Sequence, residues 1–79
     1  MTQYHARMAI DSTAVRILRE RSGMTVGRLA DEVSISPQYL RDIEAGRRTC
    51  KRRPDLVKAI AEALDVPVPM VTARQSIPS

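Results

Sequence analysis

The densest group of charged side chains lies between residues 47 and 53, where five of seven positions are basic and none is acidic. These residues are Arg47, Arg48, Lys51, Arg52 and Arg53. The whole chain has the same bias, with 13 basic and 9 acidic residues among 79 and a formal net charge of +4 at pH 7. A run of like charges is often only a solvated surface, but a basic balance favours an anionic partner, most often a nucleic acid.

Other kinds of chemistry have little support in the composition. One histidine, His5, and one cysteine, Cys50, exclude an intramolecular disulfide and are too few for a structural zinc site. They lie far apart in sequence, and no acidic pair has a spacing typical of a catalytic site. We therefore expect no enzymatic activity, cofactor, metal or small-molecule ligand. Cys50 has two interpretations: its basic neighbours lower the thiol pKa and make it redox-sensitive, or it is an incidental thiol.

The composition is that of one small domain with an aliphatic core. Hydrophobic residues make up 43% of the chain. The chain has two tyrosines and no phenylalanine or tryptophan. No apolar run approaches the roughly 18 residues that span a bilayer, and no apolar stretch near the N-terminus is typical of a signal peptide. We expect a cytoplasmic domain with no membrane contact.

Apolar residues at helical spacing divide the chain into short helices, and no segment is a convincing strand. The first helix begins at Ser12 or Thr13, either of which can cap it, and ends at Ser22-Gly23. Further helices are predicted over residues 25–33, 36–45, 54–65 and, as a short last element, 68–73. The predicted organisation is an N-terminal arm over residues 1–11, a domain over 12–73 and a flexible tail over 74–79.

The helices over residues 25–33 and 36–45 are joined by a very short connection, which contains Ser34 and Ile35. Ile35 is an apolar residue in a turn, and this suits a side chain that packs between two crossing helices. Short paired helices with such a connection are typical of a helix-turn-helix motif.

A series of residues in fixed order runs through and around this motif. It comprises LRERSGMT (residues 18–25), Leu29-Ala30, Ile35-Ser36, Leu40, IEAGRRT (residues 43–49), Leu56 and AEALDV (residues 61–66). In this order and spacing the chain resembles the lambda-repressor/Cro-type (XRE) DNA-binding domain over roughly residues 13–72. The resemblance implies an all-α, compact five-helix domain whose third helix enters the DNA major groove. A MerR-type winged helix also resembles residues 25–44, but it leaves the helices before and after them unexplained.

The resemblance implies that the third helix and the following loop contact double-stranded DNA. The expected contact residues are Thr25, Arg28, Ser36, Pro37, Gln38, Tyr39, Arg41, Asp42, Arg47, Arg48, Lys51, Arg52 and Arg53. Gln38 is the best candidate for reading a base, because its amide can form two hydrogen bonds with adenine. Ser36 caps the helix beside a phosphate, and the loop cations contact the phosphate backbone without reading sequence.

The remaining side chains of the third helix have less specific roles. Pro37 offers only apolar contact, Tyr39 reaches the DNA backbone through its hydroxyl, and Arg41 reaches a phosphate or a guanine. Asp42 has two interpretations: it accepts a hydrogen bond from cytosine, or it pairs with a charge on its own helix. Arg19 and Glu44 match family positions that pair across the first and third helices, which is a structural role.

The sequence departs from the family pattern at four points. Val26 stands where a glutamine commonly contacts phosphate and supports the recognition helix, so that contact is missing. Ser34 replaces the usual turn glycine, and serine carries a larger cost at a positive φ. The basic loop, residues 47–53, is about two residues longer than the common pattern. No sensor or oligomerisation domain is expected after the fifth helix.

The sequence as a whole predicts a sequence-specific transcription regulator of the Cro-like or minimal-repressor kind, with a phage or prophage origin suggested by its size. Two alternatives use the same fold: a protein-interaction module of antitoxin or anti-repressor type, and an excisionase-like architectural protein that bends DNA. Val66, Val68, Met70 and Val71 form the candidate surface for weak self-association on DNA. Alternatively, these four residues simply cover the core.

Overall fold

Four α-helices and one short 3-10 helix make up the computed structural model, which describes residues 9–72. The α-helices are α1 (Ser12–Arg21), α2 (Val26–Glu32), α3 (Pro37–Glu44) and α4 (Pro54–Ala63), and the 3-10 helix is Val68–Val71. The predicted all-α class is confirmed. The predicted count of five α-helices is wrong, because Pro67 and Pro69 restrict the last element to a single turn. Most of the predicted arm, with His5, and the predicted tail lie outside the described residues.

The helix starts follow local capping chemistry. The hydroxyls of Thr25 and Ser36 accept hydrogen bonds from backbone N–H groups in the first turns of α2 and α3, each at 3.0 Å, as predicted. The predicted cap of α1 at Ser12 or Thr13 is wrong. Asp11 caps this helix instead, and its Oδ1 accepts from the N–H of Ala14 at 3.2 Å. A carboxylate also suits the positive end of the helix dipole.

The turn between α2 and α3 has the strained geometry that the sequence predicted. Ser34 has a φ of +61°, in the left-handed region that glycine adopts more easily. The backbone N–H groups of Ser34 and Ile35 donate to the carbonyls of Asp31 and Ala30, at 3.2 and 3.0 Å, and so close the end of α2. Ile35 is half-buried and packs against the core between the two helices. The turn therefore sets the angle at which α3 leaves α2.

The core is aliphatic and receives side chains from every helix. Its largest fully buried members are Leu29, Leu40, Ile43, Ile60, Val15, Val57 and Val71. The complete burial of Val71 confirms for this residue the alternative that it covers the core, and it makes Val71 wrong as a member of the predicted self-association surface. Val66 and Val68 are half-buried against the same core, and Met70 remains 50% exposed.

The segment directly before α1 joins this core. The backbone N–H of Ile10 donates to the carbonyl of Thr49 and that of Asp11 to the carbonyl of Val71, both at 2.8 Å. Ile10 also forms an isolated antiparallel bridge with Thr72, and its side chain is buried. These bonds connect the start of α1 to the basic loop on one side and to the 3-10 helix on the other. None of the helices within residues 9–72 is long and apolar enough to cross a membrane.

Candidate nucleic-acid interface

The third helix has one buried face and one exposed face. Leu40 and Ile43 are completely buried, whereas Pro37, Gln38 and Arg41 are exposed. These exposed residues come from the first two turns of α3, so their side chains lie on neighbouring parts of one surface. The structure therefore brings together three of the side chains predicted to contact DNA.

An ion pair between α1 and the end of α3 fixes the position of this helix. Arg19 donates from Nε to Glu44 Oε2 at 2.7 Å and from Nη2 to Glu44 Oε1 at 3.0 Å. Its Nη1 donates to the carbonyl of Met24 at 2.9 Å. The two side chains are only 11% and 8% exposed, and the bond to Glu44 raises the pKa of Arg19 despite its burial. The pair implied by the resemblance is present and is strongly hydrogen-bonded.

Asp42 connects α3 to the residues that follow it. Its Oδ1 accepts from Gln38 Nε2 at 3.2 Å and from Arg47 Nη1 at 3.1 Å, while Arg48 Nε lies 3.7 Å from Oδ2. The hydrogen bond from Gln38, with help from the two arginines, lowers the pKa of Asp42 below its ordinary value. The carboxylate is therefore charged at neutral pH. The predicted pairing of Asp42 with a charge on its own helix is wrong, because both charged partners lie in the loop after α3 and its partner within α3 is the neutral Gln38. Its contact with cytosine remains a prediction.

The basic loop, residues 47–53, packs beside α3. The guanidinium of Arg48 lies 4.4 Å from the ring centroid of Tyr39, in a cation–π contact that orients it. Arg53 pairs with Asp55 at 3.4 Å. Within residues 9–72, neither Lys51 nor Arg52 forms an ion pair with an acidic side chain. The loop and Tyr39 line an open concave surface of positive charge.

Two predicted contact residues lie at the start of α2. The hydroxyl of Thr25 is occupied by its capping bond, and the exposed Arg28 pairs with Glu32 at 3.4 Å. Val26, which stands in place of the family's glutamine, is half-buried against the core. The start of α2 therefore presents one cation, while position 26 contributes to packing instead of polar support.

Cys50 is a core residue although it lies in the basic loop. It is 8% exposed and has a φ of +59°. Burial raises its thiol pKa, and this effect outweighs the lowering by Arg53 and Arg48. Of the two interpretations of Cys50, the one with a lowered thiol pKa is therefore wrong, and the incidental thiol is the one that remains. Among residues 9–72, no group of three or more His, Cys, Asp or Glu side chains is arranged to hold a metal ion.

Comparisons with known proteins identify the same motif. A family model described as a helix-turn-helix domain matches residues 12–73. The clp gene regulator ClgR from C. glutamicum is 31% identical to this chain, with a TM-score of 0.67 and coverage of 73% of each chain. No curated protein sequence matches significantly.

Two further solved structures are less similar in sequence. SinR, the master regulator for biofilm formation, solved in complex with DNA, is 22% identical, with a TM-score of 0.69 over 76% of this chain and 97% of its own. A hydroxyethylphosphonate dioxygenase is 23% identical, with a TM-score of 0.72 over 89% of this chain but only 15% of its own. At these identities the likeness shows a shared fold alone.

Proposed function

The chain belongs to the helix-turn-helix domain family, and we propose that it is a transcription regulator that binds a specific double-stranded DNA sequence through α3. The main observation behind this proposal is that α3 presents an exposed face, with the Arg19–Glu44 pair on its buried side and the basic loop beside it. Arg19 and Glu44 hold the helix from within, and Gln38 and Arg41 face outward. Regulators such as ClgR, and SinR in its complex with DNA, support the same function by their similar folds.

In this proposal α3 lies in the major groove and the basic loop follows the phosphate backbone. Gln38 reads an adenine with its amide, and Arg41 contacts a guanine or a phosphate. Lys51 and Arg52 provide phosphate contacts, and Arg28 adds a further one from the start of α2. The protein acts as a Cro-like regulator that occupies its operator.

Selection of bound sequences from a random duplex pool tests the proposal. We expect a clear consensus, because base contacts and phosphate contacts together favour one site over random DNA. A pool with no enriched sequence contradicts the proposal. Weak, non-specific DNA binding together with a stable complex with another protein would instead establish an interaction module. A strong bend at adjacent sites would indicate an excisionase-like protein.

Two substitutions separate base reading from phosphate contact. Gln38→Ala should weaken binding to the selected site by about 1–3 kcal/mol and relax the preference at one base pair. Arg52→Ala should weaken the selected and random duplexes alike and reduce the salt slope by about one. Fluorescence anisotropy at several salt concentrations measures both effects, with Arg16→Ala on the exposed side of α1 as the matched control for charge. Unchanged base preference in Gln38→Ala would refute the proposed register of α3.

A further inference from the structure

Asp42 is the point at which the base-reading part of α3 meets the basic loop. One carboxylate accepts from Gln38 at 3.2 Å and from Arg47 at 3.1 Å, and it lies 3.7 Å from Arg48. The backbone carbonyl of the same residue accepts from the N–H groups of Arg47 and Arg48, at 2.8 and 3.3 Å. Any change in this side chain therefore acts on the proposed base reader and on two loop cations together.

The chemistry of a carboxylate determines how the Gln38 amide is oriented. A charged carboxylate has no hydrogen to donate, so the amide must present its nitrogen to Asp42. The second N–H of Nε2 and the carbonyl Oε1 then remain available to a ligand. A donor beside an acceptor is the pattern that matches N7 and the N6 amino group of adenine in the major groove.

We propose that Asp42 is a positioning residue that determines the specificity of DNA recognition, because it orients Gln38 for adenine and restrains Arg47 and Arg48. This inference rests on the proposed function. In the XRE domains that this chain resembles, a glutamine at position 26 commonly supports the recognition helix, but Val26 has no polar group to do so. Asp42 instead holds an exposed side chain of α3, that of Gln38, from within the same helix.

The same carboxylate limits binding to random DNA. It offsets one positive charge where the basic loop joins α3, and it repels nearby phosphates. Arg47 and Arg48 each have five N–H donors, so they can turn some of them toward a phosphate while the others still face Asp42. Non-specific affinity comes mainly from such phosphate contacts, so a carboxylate at this position lowers it.

The test uses Asp42→Asn, which keeps the shape of the side chain but removes its charge. Its amide can donate as well as accept, so the Gln38 amide loses its fixed orientation. At the base pair read by Gln38, the preference for adenine should fall about fivefold or more. Affinity for a random duplex should rise, and its salt slope should become steeper by about one. Anisotropy titrations with duplexes that differ at this single base pair measure both quantities.

A double substitution tests whether the two residues act together. In Gln38→Ala the amide is absent, so adding Asp42→Asn should cause no further loss of preference at that base pair. A further loss of the same size as in the wild-type background would overturn the positioning role. Asp42→Ala must produce the same loss of preference; since alanine is the strongest helix former, such a loss does not come from a weakened helix. Urea unfolding confirms that each variant is folded.

Asp65→Asn is the matched control, since it makes the same chemical change at an exposed turn after α4. It should leave base preference and the random-duplex salt slope unchanged. If Asp42→Asn behaves like this control, the inference fails while the proposed function stands. If the wild-type protein selects no sequence at all, the proposed function fails first. A consensus without adenine at the position affected by Gln38→Ala overturns the inference and the assignment of adenine to Gln38, while sequence-specific DNA binding stands.

Discussion

Arg19 is a buried charged residue, 9% exposed when its backbone is counted with its side chain. A buried guanidinium is tolerated only when its N–H groups find acceptors, and Glu44 and the carbonyl of Met24 provide them. Since Glu44 is the last residue of α3, the pair connects this helix to α1. At this position one residue pair contributes to stability and to the placement of the proposed interface.

Glu44→Gln should reduce the free energy of unfolding by about 3 kcal/mol, because it leaves the Arg19 charge buried without a carboxylate. The matched control is Glu32→Gln, which breaks the exposed pair of Arg28 and Glu32 on α2. The control should cost less than about 0.5 kcal/mol, since solvent screens an exposed pair. Urea unfolding followed by circular dichroism measures both. Equal losses in the two variants would show that burial adds nothing to the Arg19–Glu44 pair.

Individual residues differ in how far the sequence could predict them. The Arg19–Glu44 pair was implied by family resemblance, and composition alone would not have joined two residues that are 25 positions apart. Cys50 shows the opposite case. Its sequence neighbours are basic, which predicted a lowered pKa, but the fold buries the thiol in the core and burial has the larger effect. Local charge is readable from sequence, whereas burial depends on segments that meet only in three dimensions.

At the scale of elements, the turn at Ser34 sets the geometry between α2 and α3, and its backbone conformation reduces the stability of the fold. Its φ of +61° carries strain for a residue with a Cβ atom. Ser34→Gly should raise the free energy of unfolding by about 0.5–1 kcal/mol, as relief of strain exceeds the greater entropy of glycine in the unfolded chain. Thermal unfolding monitored by circular dichroism measures the change.

Ser22→Gly is the control for this prediction, since Ser22 is also exposed at a helix end but has an ordinary φ of −83°. Without strain to relieve, glycine there should only destabilise the protein, by up to about 1 kcal/mol. A destabilised Ser34→Gly protein would mean that the serine hydroxyl contributes more than its backbone strain costs. The two variants together separate the effect of φ from the effect of the residue type.

The helices were predictable because their signals are local. Thr25 and Ser36 lie next to the turns that they cap, and apolar spacing marks the buried face of each helix. Contacts outside the helical repeat gave no such signal. Tyr39 of α3 forms a cation–π contact with Arg48, nine positions later in the chain. Asp42 of α3 accepts a hydrogen bond from Arg47, which lies five positions later and beyond the end of the helix. Helical periodicity predicts neighbours three or four residues apart, so these loop contacts required the folded structure.

At the scale of the whole molecule, the question is self-association, and residues 9–72 leave little apolar surface for it. Val71 is fully buried, Val66 and Val68 are half-buried, and the large exposed apolar side chains of residues 9–72 are Ile17 and Met70. A stable protein interface requires roughly 1,200 Å² of buried surface, which two side chains cannot provide. Most of the apolar residues predicted for a self-association surface therefore pack against the core of their own domain. We therefore predict that pairing of two chains is strengthened when they are held side by side on DNA.

We expect sedimentation velocity at micromolar concentration to give a monomer, at the 8.8 kDa of a single chain. Met70→Asp should leave this result unchanged, because the Met70 side chain is 50% exposed and lies outside the buried core. On a duplex with two adjacent copies of the selected site, the same substitution should reduce cooperative binding if the chains touch through this surface. Ile17→Asp on α1 is the control for adding a charge at another exposed apolar residue. A tight dimer in the absence of DNA would contradict the prediction, and its dissociation by Met70→Asp would then place the interface at the 3-10 helix.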